Sequence, residues 1–326
     1  MLFSLKLNQR PAFARSTNSN ILVSTYQLEE PDSRKGSIYL LSNTLDIIHH
    51  IDAPAGVFRF DFLKPNVVIA AVTNGSLFTT TFDDSPSTAS IHVSDEMLLD
   101  VSSPSLTSYV SCTDKAGYAH MIDVDTETVI STWKAHSLPY TDTGCEVWTC
   151  SLNDTLLCTG GEDGVLKVWD IRSQTMVQRL NEFNAGVTFS NWKKDNVIQI
   201  SHTTIIYVSH SKVSFLCAKN SCPQVIITGS YDQHIRLFDM RKSKESLKAI
   251  ETSGGVWHIE DYQNARQQYR VAACMYGGWT LLDENFDIIK ADDKAGQELL
   301  YGVTMANENL LIYTTFNYYK VTAVTV

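Results

Sequence analysis

The residues best suited to chemistry are few and scattered. His258 follows Gly254-Gly255-Val256-Trp257, Glu146 lies just before Trp148, and His136, Glu162, Tyr231, Tyr276 and Tyr301 fall in or beside turn-rich phrases. A histidine or carboxylate can move a proton, and an indole or phenol face can hold a cation. The G-x-S-x-G turn that carries a serine nucleophile is absent, as is the H-E-x-x-H spacing of a zinc hydrolase. The seven cysteines, at 112, 145, 150, 158, 217, 222 and 274, include no C-x-x-C pair. Neither a disulfide framework nor a metal site is expected, and no cofactor is implied. Any site must therefore be gathered by the fold from distant positions.

The elements that do the gathering are strands. Val165-Leu166-Lys167-Val168-Trp169 and His234-Ile235-Arg236-Leu237-Phe238 alternate with period two, and apolar residues nowhere recur at helical spacing over three turns. The chain reads as all-β. Apolar residues are 44% and charged ones 19%, too apolar for a disordered chain. With 26 Lys+Arg against 36 Asp+Glu the net charge is −10 and the basic residues are dispersed, so nucleic acid is not an expected partner. The longest apolar run, Val67 to Val72, falls far short of the ~20 residues of a membrane span. The acid-poor start, Met1 to Leu28, reads as a strand at Leu2 to Leu7 followed by a polar loop rather than as a transit peptide. A cytoplasmic monomer is expected, consistent with cysteines at 112, 158 and 274 set inside apolar strand-like runs.

The chain also repeats itself. Cys158 to Asp170 aligns with Ile227 to Asp239, each a strand, a tight turn led by Asp163 or Asp232, and a second strand ending in an aromatic residue and Asp. This unit resembles the WD repeat, which implies one four-stranded propeller blade per copy. Weaker copies centre on Asn74-Gly75, Asp114 to Gly117, Tyr276-Gly277 and Phe316-Asn317, with an N-terminal one from Ile21 to Leu41 about a longer turn. Seven blades in a single domain spanning residues 1–326 are expected. The step from Asp163 to Asp232 is much longer than the usual ~40–45 residues, and its excess reads as a loop or hairpin inserted at about 186–212. Two phrases there, Gly186-Val187-Thr188-Phe189 and Lys212-Val213-Ser214-Phe215, are equally suited to open the next inner strand. The last unit stops after its third strand, so Leu2 to Leu7 is expected to close the ring. In blade four the resemblance implies a brace of His136, Thr159, Asp163 and Trp169; blade five, with Phe238 in place of Trp, should have an incomplete one.

Trp133-Lys134-Ala135-His136, Gly229 to Leu237, Ser253-Gly254-Gly255-Val256-Trp257-His258, Ala272-Ala273-Cys274-Met275 and Leu299-Leu300-Tyr301-Gly302 narrow the likeness further. From about Trp133 to Tyr301 the chain resembles the WD-repeat diphthine methyl-ester hydrolases of diphthamide biosynthesis, also called diphthine methyltransferases. The resemblance implies removal of a methyl ester from methylated diphthine, the modified histidine of translation elongation factor 2. For that chemistry the residues give these expected roles: His258 or Glu146 to activate water, Gly254 and Gly255 amides for the oxyanion, and Trp148, Trp257, Tyr276 and Tyr301 around the substrate's trimethylammonium. Each residue has a plainer alternative. His136 and Asp163 suit a brace and a turn, Trp148 and Trp257 suit inter-blade packing, and the glycine pair suits a positive φ. The whole propeller, likewise, suits a non-catalytic scaffold or adaptor binding a protein partner.

Overall fold

The structure is a computed structural model that describes residues 2–17, 19–29, 33–83, 85–104, 107–193, 225–241, 245–263 and 268–326. It contains seven four-stranded antiparallel sheets, each a blade, plus a two-stranded hairpin, Gln27–Glu29 with Ser33–Lys35, that fills the long first turn. The inner strands are, in blade order, Pro11–Ser16, Val57–Lys64, Leu98–Ser102, Thr149–Leu152, Val187–Trp192, His258–Gln263 and Leu300–Asn307. Blade seven is closed as expected: Leu2–Lys6 pairs antiparallel with Lys320–Thr325, Leu2 opposite Val324 and Lys6 opposite Lys320. One reading of the N-terminus is corrected. The segment after Leu7 is no polar loop; Pro11–Ser16 is the inner strand of blade one, and its four leading residues are buried.

Blade stacking explains the apolar pattern. Middle strands are covered on both faces, so Val67–Val72 is buried almost throughout and reads as a continuous apolar run. Seven apolar clusters form, one at each contact between neighbouring blades. Phe189, Ile227 and Ile235 of blade five meet Val256, Ile259 and Ala272 of blade six, for example. Across the closure, Ile21, Val23 and Leu41 of blade one meet Ile312, Val321 and Ala323 of blade seven.

Of the two phrases that suited the inner strand of blade five, Val187–Trp192 occupies it. The Lys212 phrase, Cys217, Cys222 and most of the expected insertion lie outside the described residues. The described cysteines are buried free thiols.

Blade four carries a continuous polar chain. Burial holds the His136 imidazole below its ordinary pKa, so the ring is neutral at physiological pH. Its Nδ1–H then donates to Asp163 at 2.8 Å, the Thr159 hydroxyl donates to Nε2 at 2.9 Å, and the Trp169 indole donates to Thr159 Oγ1 at 2.9 Å. Replacing Thr159 by Val keeps the shape but leaves a buried donor on Trp169 and a buried acceptor on His136 unpaired. A loss of about 2–4 kcal/mol is expected, read from urea midpoints. Blade five has the incomplete set expected of it: Phe238 offers no donor, and the Thr228 hydroxyl turns to the backbone oxygen of Arg236 at 3.2 Å. Arg236 reaches Asp232 at 2.9 Å and lies over the Phe183 ring at 5.1 Å, so a guanidinium replaces the imidazole as the partner of the turn aspartate.

Candidate functional site

Loops that precede inner strands meet the turns between second and third strands on one face of the ring. Val187 N bonds Gly161 O, Tyr231 N bonds Gly186 O and Val256 N bonds Ser230 O, so each entry loop is tied to the preceding blade's turn. Aromatic side chains from five blades converge there. Trp257 lies 4.7 Å from Tyr301, 5.7 Å from Trp148, 6.0 Å from Phe58 and 6.1 Å from Tyr231, centroid to centroid. Phe316 and Tyr26 extend the cluster from Tyr301 at 5.1 Å and from Phe58 at 5.7 Å.

Two of these rings owe their places to bulges. The register of blade two slips between Val57 and Arg59, and that of blade seven between Leu300 and Val303. Phe58 and Tyr301 sit within those slips, where a bulge re-aims a side chain at the sheet end.

Two carboxylates border the cluster. The Trp148 indole donates to Glu162 Oε2 at 2.6 Å, and Glu162 N donates to the backbone oxygen of Glu146 at 2.9 Å. Burial pushes the Tyr231 phenol up, and the charges of Glu162 and Glu146 push it further. The Tyr301 phenol is raised to about 12, chiefly by burial and then by Tyr276. Trp148, Tyr231 and Tyr301 keep part of their surface in solvent.

Trp257 is placed differently from a cage wall. It is 4% exposed, with the Arg59 guanidinium 5.1 Å from its ring centre. Its ring backs the cluster, and its cation-binding face is already occupied. Tyr276 stands in the adjoining turn at 62% exposure.

Below the rim the axis is filled. Arg59, on blade two, donates at 2.8 Å to the carbonyls of Thr188 on blade five and Trp257 on blade six, and contacts Asp100 Oδ2 on blade three at 3.3 Å. Asp100 also accepts from the amides of Cys150 and Val101, each at 2.9 Å. Burial nonetheless raises its pKa, against the lowering pull of Arg59 and those amides. The sequence reading missed Arg59. The available signal was Val57-Phe58-Arg59-Phe60-Asp61, where charges in a buried strand must face something other than apolar blades.

His258 belongs to this plug and not to the rim. Its ring lies 4.5 Å from Phe13 of blade one and 5.4 Å from Phe189 of blade five, so the side chain points along the axis rather than into a blade interface. Glu260 Oε2 is 3.7 Å from Nε2, and both ring nitrogens lack a hydrogen-bond partner. Burial is the main cause of a pKa lowered to about 4.

An unfolded histidine near 6.5 binds its proton first as the pH falls, so stability contributed by the neutral ring is complete above that value. It drains between about 6.5 and 4, by on the order of 3 kcal/mol. His258→Phe is expected to lose that part of the acid sensitivity, measured as denaturant midpoints at about pH 7 and pH 4.5.

The glycine pair serves close approach, not a left-handed turn. Positive φ occurs at Gly75, Gly117, Gly164 and Gly278 and at neither member of the pair. A Cβ on Gly254 would stand 2.3 Å from Cys274 O, and one on Gly255 3.2 Å from Met275 Sδ. Cys274 is buried and its thiol is raised to about 11 by burial, which leaves no ready thiolate. Among the described residues, no three His, Cys, Asp or Glu side chains converge as metal ligands do.

Comparison with known proteins adds to this geometry. A family model for the WD domain, G-beta repeat, matches residues 127–170 and 201–239. Human diphthine methyltransferase is 26% identical over 181 residues, covering 52% of this chain and 32% of its own length. A Dictyostelium discoideum diphthine methyltransferase homolog is 24% identical over 308 residues, covering 81% of this chain and 78% of its own. The Saccharomyces cerevisiae diphthine methyltransferase is 25% identical over 191 residues, half of this chain and 44% of its own. The match thus spans about a third of the human relative and under half of the yeast one. Among the described residues no helix is long and apolar enough to cross a membrane. The chain is a seven-bladed WD-repeat propeller related to the proteins named diphthine methyltransferase.

Proposed function

We propose that this propeller hydrolyses the methyl ester of methylated diphthine on translation elongation factor 2, a late step of diphthamide biosynthesis. One observation carries the reading: partly buried Trp148, Tyr231 and Tyr301 gather at one mouth of the ring beside Glu146 and Glu162. Aromatic faces attract a trimethylammonium group, and two neighbouring carboxylates strengthen the attraction. The similarity to curated diphthine methyltransferases supports the same substrate.

In this reading Glu146 is the base, because it stands at the mouth whereas His258 is sealed in the plug. Its carboxylate takes a proton from water as the water oxygen bonds to the ester carbonyl carbon. Backbone amides of Gly254 and Gly255 face the developing oxyanion. When the carbonyl re-forms, the carbon–methoxy bond breaks, and methoxide leaves as methanol with the proton held by Glu146. His258, neutral and buried against Phe13 and Phe189, fills the plug below the mouth.

The relatives' name speaks of methyl transfer. Hydrolysis acts on the same methyl ester with water alone, so the two are separated by whether a methyl donor is needed. The test incubates purified protein with elongation factor 2 bearing methylated diphthine, without donor, and follows the modified peptide by mass spectrometry. Loss of the methyl ester is expected. Its persistence would overturn the reading in favour of a non-catalytic adaptor.

A further inference from the structure

The entry loop of blade four carries more than the site needs. Ser137 and Gly144 form a β-bridge, Leu138 N bonds Thr143 O at 2.9 Å, and Thr141 N bonds Leu138 O at 3.2 Å. Thr141 Oγ1 also bonds Leu138 O, and the Lys134 ammonium reaches Asp142 Oδ1 at 2.9 Å. Both feet are anchored in the blade, through His136 on one side and Cys145 and Val147 on the other, all buried. The result is a braced hairpin that holds its tip away from the molecule.

That tip is apolar. Leu138 is 40% exposed, Pro139 is exposed, and Tyr140 is 107% exposed with φ at 63°, a left-handed conformation that a tyrosine rarely adopts. Isolated exposed apolar residues are ordinary, but three in sequence on a rigid projection form a preorganised contact that loses little entropy on binding. The hairpin rises from the face that bears the aromatic mouth and runs directly into Glu146 and Trp148. A macromolecule that delivers a side chain to the mouth must lie against it.

We propose that the Ser137–Gly144 hairpin is a docking finger, with Leu138 and Tyr140 inserting into an apolar depression on the protein that carries the esterified side chain. The proposal rests on the ester-hydrolase reading for the identity of that protein. The net charge of −10, with Glu146 and Glu162 at the mouth, favours a basic rim around the depression. A large aromatic side chain seated in a desolvated pocket is the kind of residue that dominates binding.

The test compares wild type with a Leu138→Ser/Tyr140→Ser double variant, whose melting temperature should change by no more than a few degrees because both residues lie at the exposed tip, outside the blade core. Affinity is measured by calorimetry for intact elongation factor 2 bearing methylated diphthine, and for a short peptide bearing the same modified histidine. The finger predicts a loss of about tenfold or more for the intact protein and none for the peptide. Equal affinity of wild type and variant for the intact protein would overturn it, as would equal losses on both ligands. Binding decides the finger whether or not the ester is cleaved. Persistence of the ester in the turnover assay instead defeats the hydrolase reading.

Discussion

Arg59→Ala should lower stability by about 3–5 kcal/mol and the melting temperature by about 10 °C. The side chain is 3% exposed and joins blade two to blades three, five and six through Asp100 and the carbonyls of Thr188 and Trp257. Its removal strands the Asp100 carboxylate, which burial already disfavours, and frees two carbonyls from their donor. Against a total of about 5–15 kcal/mol for an ordinary domain the loss is large. Asp100→Asn in the same background should restore part of it, because the stranded charge is then gone. Arg59→Lys should recover less than half, since an ammonium cannot span acceptors on three blades as a planar fork does. An unchanged melting curve for Arg59→Ala would show that the plug is ornamental to the ring.

Glu146→Gln should reduce kcat by about a hundredfold or more while leaving KM for the modified protein and the melting temperature near wild type. Gln keeps the size of the side chain at the half-buried mouth and cannot accept the proton from water. On the ester-hydrolase proposal the cation would still be met by Glu162 and the rings of Trp148, Tyr231 and Tyr301, which lie together at the mouth. His258→Gln should instead cost stability and leave turnover near wild type, because the imidazole is buried with a pKa of about 4 and packs against Phe13 and Phe189 in the plug. Loss of turnover in His258→Gln with activity retained in Glu146→Gln would reverse the two roles.

The ring was legible because blades repeat. Aligning Cys158 to Asp170 with Ile227 to Asp239 exposes the unit, and the truncated last copy with a spare N-terminal strand implies the closure that Leu2–Lys6 makes. The residues of the rim were legible in part, since entry loops and turns share a face in any propeller. What alternation could not supply was the start of five of the seven inner strands. Register slips fall between Pro11 and Phe13, Val57 and Arg59, Leu98 and Asp100, Val187 and Phe189, and Leu300 and Val303. A slip of one residue exchanges the two faces of a strand, so a period-two reading cannot tell rim from channel there. Arg59 and Phe58 were missed for that reason, whereas the His258 strand pairs without a slip, and His258 was placed at the rim because it directly follows the entry loop. Pro11–Ser16 was missed because Arg15 and Ser16 look loop-like, although Arg15 is paired with Asp61 at 2.6 Å beside the axis.

The most direct measurement is the fate of oxygen. Elongation factor 2 bearing methylated diphthine is incubated with the protein in water enriched in heavy oxygen, with no methyl donor, and the product peptide is weighed. Attack of water on the carbonyl predicts one heavy atom in the new carboxylate, with methanol released unlabelled. A carboxylate without the label, or an ester that survives, would contradict the account.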